Sequence, residues 1–291
     1  MMIDLKEEIC ELIRLTSTDL PAGVEKRLRE AANREGSSSA ARLAMDTILA
    51  NVSLARRNST PICQDTGTPI FFVHHPCGMD PGAFTLQIRS AVELATQRLY
   101  LRPNAVHSLT AKNTGNNLGD NYFPSIHFTA TTEDSLTIDL MLKGGGCENV
   151  SAQYSLPDAS LDAVRDLDGV RKAVLDAVHR AQGDGCAPGF LGVAIGGDRG
   201  TAYAASKEVL LRGLDDQNLD ETLGNLENQL TREVNNLGIG PMGFGGETTI
   251  LGTKIISLYR LPASYFVTIS YMCWAYRRRK MTVNGNQITF T

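Results

Sequence analysis

Residues 125–146, SIHFTATTEDSLTIDLMLKGGG, decide the fold class. Ile126, Phe128 and Ala130 alternate with more polar neighbours, and so do Leu136, Ile138 and Leu140. That period of two is the mark of strands, and the short polar TEDS between the two runs predicts a hairpin. Three glycines, Gly144–Gly146, then break the pattern. Outward from this stretch the period changes. Upstream, PGAFTLQIRSAVELATQRLY reads as a helix with Pro81 in its first turn, preceded by the strand-like IFFVHH. Downstream, Leu161, Val164, Leu167, Val170, Val174 and Val178 form one stripe, which predicts a helix over about 161–180. A short apolar strand follows in GCAPGFLGVAIGG, then helices over about 200–212 and 221–237.

The first sixty residues read as helical. Ile3, Leu5, Ile9, Leu12 and Ile13 share a face, Pro21 opens a second segment that Gly36 closes, and Ser37–Ser39 cap a third. Near the other end, TTILGTKIISLYR and SYFVTISYMCW are strand-like, and MTVNGNQITF turns at Asn284-Gly285. Strands and helices mix without a regular βαβ repeat. The expectation is therefore an α+β fold, one mixed α/β domain over 1–291, with a helical segment over about 1–57 and a core over about 58–280.

Composition narrows the function. With 28 Lys and Arg against 32 Asp and Glu the net charge is −4, which speaks against nucleic acid as the main partner. No apolar run reaches the ~20 residues that span a bilayer, so no membrane role is expected. MMIDLKEEIC has neither the basic start nor the apolar stretch of a secretory signal, and a cytoplasmic protein is expected. Disulfides are then not the reason for the six cysteines, Cys10, Cys63, Cys77, Cys147, Cys186 and Cys273.

The chemistry is expected in four Gly- or Asn-rich loops: CQDTG, NTGNNLG, KGGGCEN and GIGPMGFGG. None is a GxxxxGK[ST] or GxGxxG phosphate loop. Cys63, Cys186 and Cys273 sit at loop or strand ends and make no CxxC pair. Alone they read either as buried structural thiols or as a soft-metal site assembled from distant loops.

The motifs NSTPICQDTGT, LRPNAV, KNTGNNLG, KGGGCENVS, CAPGFLGVAIGG, NLGIGPMGFGG and CWAYRRR, in this order and spacing over about residues 45–280, resemble the class I iron–sulfur fumarate hydratases and the related L-tartrate dehydratases, at their α subunit or N-terminal domain. The resemblance implies that Cys63, Cys186 and Cys273 bind a [4Fe-4S] cluster with one iron lacking a protein ligand. That iron would act as a Lewis acid on the substrate hydroxyl. It implies that Gln64 and Asp65 contact substrate, where the plainer reading of Asp65 is a turn cap. It implies that Arg102 forks a substrate carboxylate and that Lys143 with Gly144, Gly145 and Gly146 forms a backbone wall beside it. Cys10 reads as core, Cys77 as a loop thiol, and Cys147 as part of the substrate wall, not a ligand. The run Arg277–Lys280 reads as a solvated or partner-facing cationic edge.

One position departs from the family. Twelve residues before Cys273, where many members carry a substrate-contacting histidine, stands Leu261, which points either to another hydroxy acid as substrate or to another group, such as Tyr265, in the same role. His74, His75, His107, His127 and His179 read as structural or surface groups. The expected activity is reversible hydration of an unsaturated dicarboxylate, fumarate to malate, with L-tartrate dehydration as the alternative. Asp65 is the candidate catalytic group. The proton-transferring base is implied to lie on a separate β subunit, in an (αβ)2 assembly, because single-chain relatives continue past the CWAYRRR-like segment and this sequence stops at Thr291. Two rivals come from other classes: a non-catalytic iron–sulfur redox sensor or scaffold, and a cluster-free small-molecule-binding domain. The separate polar loops CQD and LRPN favour catalysis, since a sensor needs no carboxylate fork.

Overall fold

The computed structural model describes residues 4–291. Ile3, assigned to the first helical stripe, lies outside them. The chain divides into two compact units, each assembled from separated segments. The first holds the described residues through Pro21, Ala50–Gly145 and Arg277–Thr291, and the second holds Ala22–Leu49 and Gly146–Tyr276. Helix α3, Ala40–Asn58, contributes to both.

In the first unit, α1 (Lys6–Thr18) and α4 (Pro81–Gln97) pack beside a sheet. Its strands are β1 (Thr68–Pro76), β2 (Ser125–Thr131), β3 (Leu136–Lys143), β8 (Arg278–Asn284) and β9 (Gln287–Phe290), in the order β2-β1-β3-β8-β9. The expected hairpin between β2 and β3 is not there. Both segments are strands, but β1 lies between them, parallel to β2 and antiparallel to β3, so that Phe72 faces His127 on one side and Asp139 on the other. β1 is buried from Pro69 to Val73 and takes the centre. The less buried β2 is left at the edge, where polar residues are tolerated. The terminal hairpin β8–β9 forms as expected, Asn284 pairing Gln287 across a two-residue turn.

The core of this unit joins Ile9, Leu12 and Ile13 of α1, Phe84, Ile88 and Val92 of α4, and Phe71, Ile138 and Leu140 of the sheet. Each such side chain contributes about 1.5–3 kcal/mol by leaving water. Cys10 belongs to this core and Cys77 is exposed, as the sequence implied. Capping fixes where the helices begin. The Asp80 carboxylate accepts from Gly82 N at 2.9 Å at the start of α4, and Ser39 Oγ accepts from Arg42 N at 3.0 Å at the start of α3.

The second unit has a four-stranded sheet, β4 (Ala152–Ser155), β5 (Gly189–Ile195), β6 (Ile250–Ser257) and β7 (Phe266–Met272), in the order β4-β7-β5-β6. Helices α2 (Ala22–Arg34), α6 (Leu167–Ala181), α7 (Arg199–Glu208) and α8 (Glu221–Asn235) complete it, and a single turn, α5 (Gly145–Asn149), leads into β4. β5 is buried at all seven positions, parallel to β6 and antiparallel to β7. A strand with a neighbour on each edge and cover on each face reads as a continuous apolar run. The stripe from Leu161 is α-helical only from Leu167, Leu161 itself ending a single 3-10 turn, Ala159–Leu161. Asp162 is left-handed, Asp158 and Ala163 bridge, and the Asp166 side chain caps the helix by accepting from Gly169 N at 2.7 Å. Val164, expected on the buried stripe, is exposed. The mixture of helices and strands expected from the sequence is what the molecule has. No helix among the described residues is long and apolar enough to cross a membrane.

Candidate active site

The CQDTG loop spans the gap between α3 and β1 in the first unit. Ile62 anchors its start: the side chain is buried, its N–H donates to Ser17 O at 3.0 Å and its carbonyl accepts from Asn51 Nδ2 at 2.8 Å. Cys63, the next residue, is half-buried. Asp65 is held at three points. Oδ1 accepts from Gly67 N at 3.1 Å, Oδ2 accepts from Gly145 N at 2.8 Å, and the main-chain oxygen accepts from Arg277 Nη1 at 2.7 Å. The turn-capping role and the contact to the glycine wall are thus both present. A methyl group on Gly144 would stand 2.9 Å from Asp65 Oδ2 and 3.7 Å from Arg277 Nη2, so glycine is what lets the carboxylate lie against this backbone.

Arg102 reaches the same loop. Its N–H donates to Thr66 Oγ1 at 3.2 Å, and Nη1 donates to Gln64 O at 3.2 Å. The side chain is exposed. Behind it stands Asn117, 3% exposed and left-handed, from the NTGNNLG loop. Its Oδ1 accepts from Asn104 N at 2.8 Å and Ala105 N at 3.1 Å, and its Nδ2 donates to Arg102 O at 2.6 Å. The sequence marked the loop but not this residue, whose amide satisfies peptide groups at and just after the LRPN turn.

Arg277 corrects the reading of Arg277–Lys280 as a solvated or partner-facing edge. It is 1% exposed, and its Nε has no partner among the described residues. The next residues enter β8, where Arg279 pairs with Asp19 at 3.5 Å and Lys280 with Asp139 at 3.3 Å. Four consecutive cations conceal this in the sequence, because charge alone does not show which of them a strand turns inward. Burial raises the Asp139 carboxyl above its ordinary value, and Lys280 opposes that shift.

The second unit brings three cysteines around one tyrosine. Cys186 lies in the turn between α6 and β5 with φ +53°, its N–H donating to Gly183 O at 3.0 Å. Cys273 follows the last residue of β7. Trp274 N donates to Cys186 O at 3.2 Å, which ties the two segments together. Cys147 Sγ accepts from Cys273 N at 3.2 Å. Tyr271 is buried beside all three, and its hydroxyl is pushed up, first by burial and then by Cys147, Cys273 and Cys186. A methyl group on Gly189 would stand 2.6 Å from that ring. The GIGPMGFGG loop supports this turn: Met242 N donates to Ala187 O at 2.9 Å. Buried Glu35 of the second unit fixes the far side of that loop, accepting from Glu247 N at 3.0 Å and Thr248 N at 2.9 Å.

Each unit therefore assembles part of the expected set. Cys63, Gln64, Asp65, Arg102, Lys143, Gly144 and Gly145 belong to the first, and Gly146, Cys186 and Cys273 to the second. No three His, Cys, Asp or Glu side chains among the described residues are arranged to hold a single metal ion. An iron–sulfur cluster asks for something different, one thiolate on each of several irons, and the soft thiols of Cys186 and Cys273 on adjoining backbone fit that chemistry. The position read as a departure, Leu261, is exposed in a loop whose Arg260 stacks on Tyr265 at 4.6 Å. A cavity of about 610 Å³ in the second unit, lined by Arg27, Asp215, Asp216 and Lys254 among others, holds none of the expected site residues. Its cations already face Asp215 and Asp216.

The sequence profile of the fumarate hydratase (Fumerase) family matches residues 6–282. A Geobacillus stearothermophilus protein named as a class I fumarate hydratase is 46% identical over 98% of this chain and 56% of its own length. The chain thus spans little more than half of that relative. A Methanocaldococcus jannaschii protein named as an L(+)-tartrate dehydratase subunit alpha is 34% identical over 94% of this chain and 95% of its own. The L(+)-tartrate dehydratase subunit alpha of Escherichia coli K12 is 31% identical over 98% and 92%.

Proposed function

The chain belongs to the fumarate hydratase family, and on that premise we propose that it is the α component of a hydro-lyase that adds or removes water at a 2-hydroxydicarboxylate. Fumarate and malate are the first substrate pair, supported by the identity to the Geobacillus protein. L-tartrate is the second, supported by the two α subunits that the chain matches over nearly their whole length. The observation that carries the reading is the Asp65 carboxylate, fixed by Gly145 N and flanked by Gly144 and the Arg102 segment.

Cys63, Cys186 and Cys273 are the residues that would hold a [4Fe-4S] cluster, which supplies a Lewis-acid iron for the departing or entering hydroxyl. The chain's own groups do the rest. Arg102 is anchored through Nη1 to Gln64 O, and the rest of its fork suits one substrate carboxylate. Gln64 and the Gly144–Gly146 backbone orient the substrate. Asp65, held from both carboxylate oxygens, keeps a fixed negative group beside the reacting hydroxyl and is the candidate for moving its proton. The base for the C3 proton is assigned to a β-type partner, in keeping with the subunit naming of the tartrate dehydratase relatives, and the expected assembly is (αβ)2.

The test is an anaerobic screen of fumarate, malate, L-tartrate and their methylated analogues, with the iron-loaded chain and a β-type protein supplied to it. Turnover of one dicarboxylate pair supports the reading. Iron loading with no turnover of any of them would move the chain to the redox-sensor class.

A further inference from the structure

Cys147, read in the sequence as part of the substrate wall, is a third cysteine beside Cys186 and Cys273, and its sulfur is engaged with the backbone of Cys273. It is 4% exposed, in the short turn after the glycine wall. Its Sγ does not stand open to a ligand. It accepts the main-chain N–H of Cys273 at 3.2 Å. The carbonyl of Cys147 accepts from Ser151 Oγ at 2.7 Å, and that same Oγ accepts from Tyr271 N at 3.1 Å. Cys147, Ser151, Tyr271 and Cys273 therefore close a ring through one side-chain sulfur, one hydroxyl and two residues of backbone. The ring fixes the segment just where β7 ends at Met272 and regular pairing stops. On its other side the segment is tied to Cys186 through Trp274 N. The Cys273 thiol itself points back to Ala275 O at 3.8 Å.

We infer that Cys147 is a positioning residue for Cys273: its sulfur accepts the Cys273 N–H and sets the direction in which the Cys273 thiolate is presented. The inference rests on the reading of Cys273 as a cluster ligand. Hydrogen bonds behind a metal ligand hold its orientation and slow its release, and a sulfur acceptor serves here although it is a weak one. A serine at 147 keeps an acceptor at the same place. Alanine and valine remove it, one with loss of volume and one with a gain, so an effect common to both reports the hydrogen bond and not the direction of the packing change.

The experiment compares the wild-type chain with Cys147→Ala, Cys147→Val, Cys147→Ser and Cys273→Ser. Each is reconstituted anaerobically with iron(II), sulfide and thiol, and read by bound iron and sulfide and by the rate of iron loss to an iron(II) chelator. The expectation is full loading of the wild type and all three Cys147 variants. Iron release should be about tenfold faster in the alanine and valine variants, the scale of one hydrogen bond, and within about twofold of wild type in the serine variant. A second readout needs no cluster. Alkylation of Cys273 in the iron-free chain, followed by mass spectrometry, should be several-fold faster in the alanine and valine variants than in wild type or Cys147→Ser. Equal release and equal alkylation in all four chains overturns the inference. A serine variant as labile as alanine overturns it too, because the thiol and not the acceptor would then matter. Loss of iron uptake in every Cys147 variant makes Cys147 a ligand and overturns it from the other side. Failure of the wild type to load removes the cluster reading itself, and Cys273→Ser identifies that case by behaving no differently from wild type.

Discussion

Asp65 shows how little freedom the proposed site allows. Both carboxylate oxygens and the carbonyl of one residue are taken, by Gly67 N, Gly145 N and Arg277 Nη1. Gly144→Ala puts a carbon 2.9 Å from Oδ2, so the carboxylate or the wall must move. The expected result is a fall in kcat of about 10²-fold, the scale of a misplaced reacting group, with the melting temperature and iron content near wild type. Wild-type kcat in Gly144→Ala would show that Asp65 is not at the reaction centre. Arg102→Lys keeps the charge and loses the planar fork. kcat/KM should drop by roughly 30-fold, about 2 kcal/mol of charge-assisted hydrogen bonding, with the cluster intact. An unchanged kcat/KM would make Arg102 an ordinary surface cation.

The elements were legible in the sequence to the extent that one face of a helix or strand reports burial. α1, α4 and β5 stand where their apolar periods put them, and Ser39 and Pro81 mark helix starts as read. What the period does not carry is the partner. TEDS looks like a hairpin loop, yet β1 takes the place between β2 and β3 because its own run, Pro69–Val73, is buried and pairs on both edges. The candidate site was legible through its loops and less through its supports. Asn117 and Glu35 are single polar residues that bind backbone far along the chain, and no local pattern announces such a contact. Asn117→Ala removes the acceptor for Asn104 N and Ala105 N and the donor to Arg102 O. It should cost about 1–3 kcal/mol and lower the melting temperature by several degrees. It should also raise KM, since the LRPN turn loses its backing. A melting curve and KM that both match wild type would show the turn to be held by other contacts.

At the scale of the whole molecule the proposed ligands come from both units, Cys63 from the first and Cys186 and Cys273 from the second. Each is expected to be indispensable. Serine at any one of them should abolish stable loading, while serine at Cys10 or Cys77 should leave iron content unchanged, because thiolate is the soft donor that iron prefers. Air should inactivate the loaded protein, and iron(II) with a thiol should restore it, since an iron open to substrate is open to oxidant. Activity that persists for many hours in air would contradict an open iron. The account as a whole meets its most direct test in one assay. The chain, loaded anaerobically and combined with a β-type protein of the proposed kind, is given fumarate and L-tartrate, and the product is followed by nuclear magnetic resonance. The account predicts hydration of fumarate or dehydration of tartrate, lost in Cys63→Ser. Turnover undiminished in Cys63→Ser would contradict it.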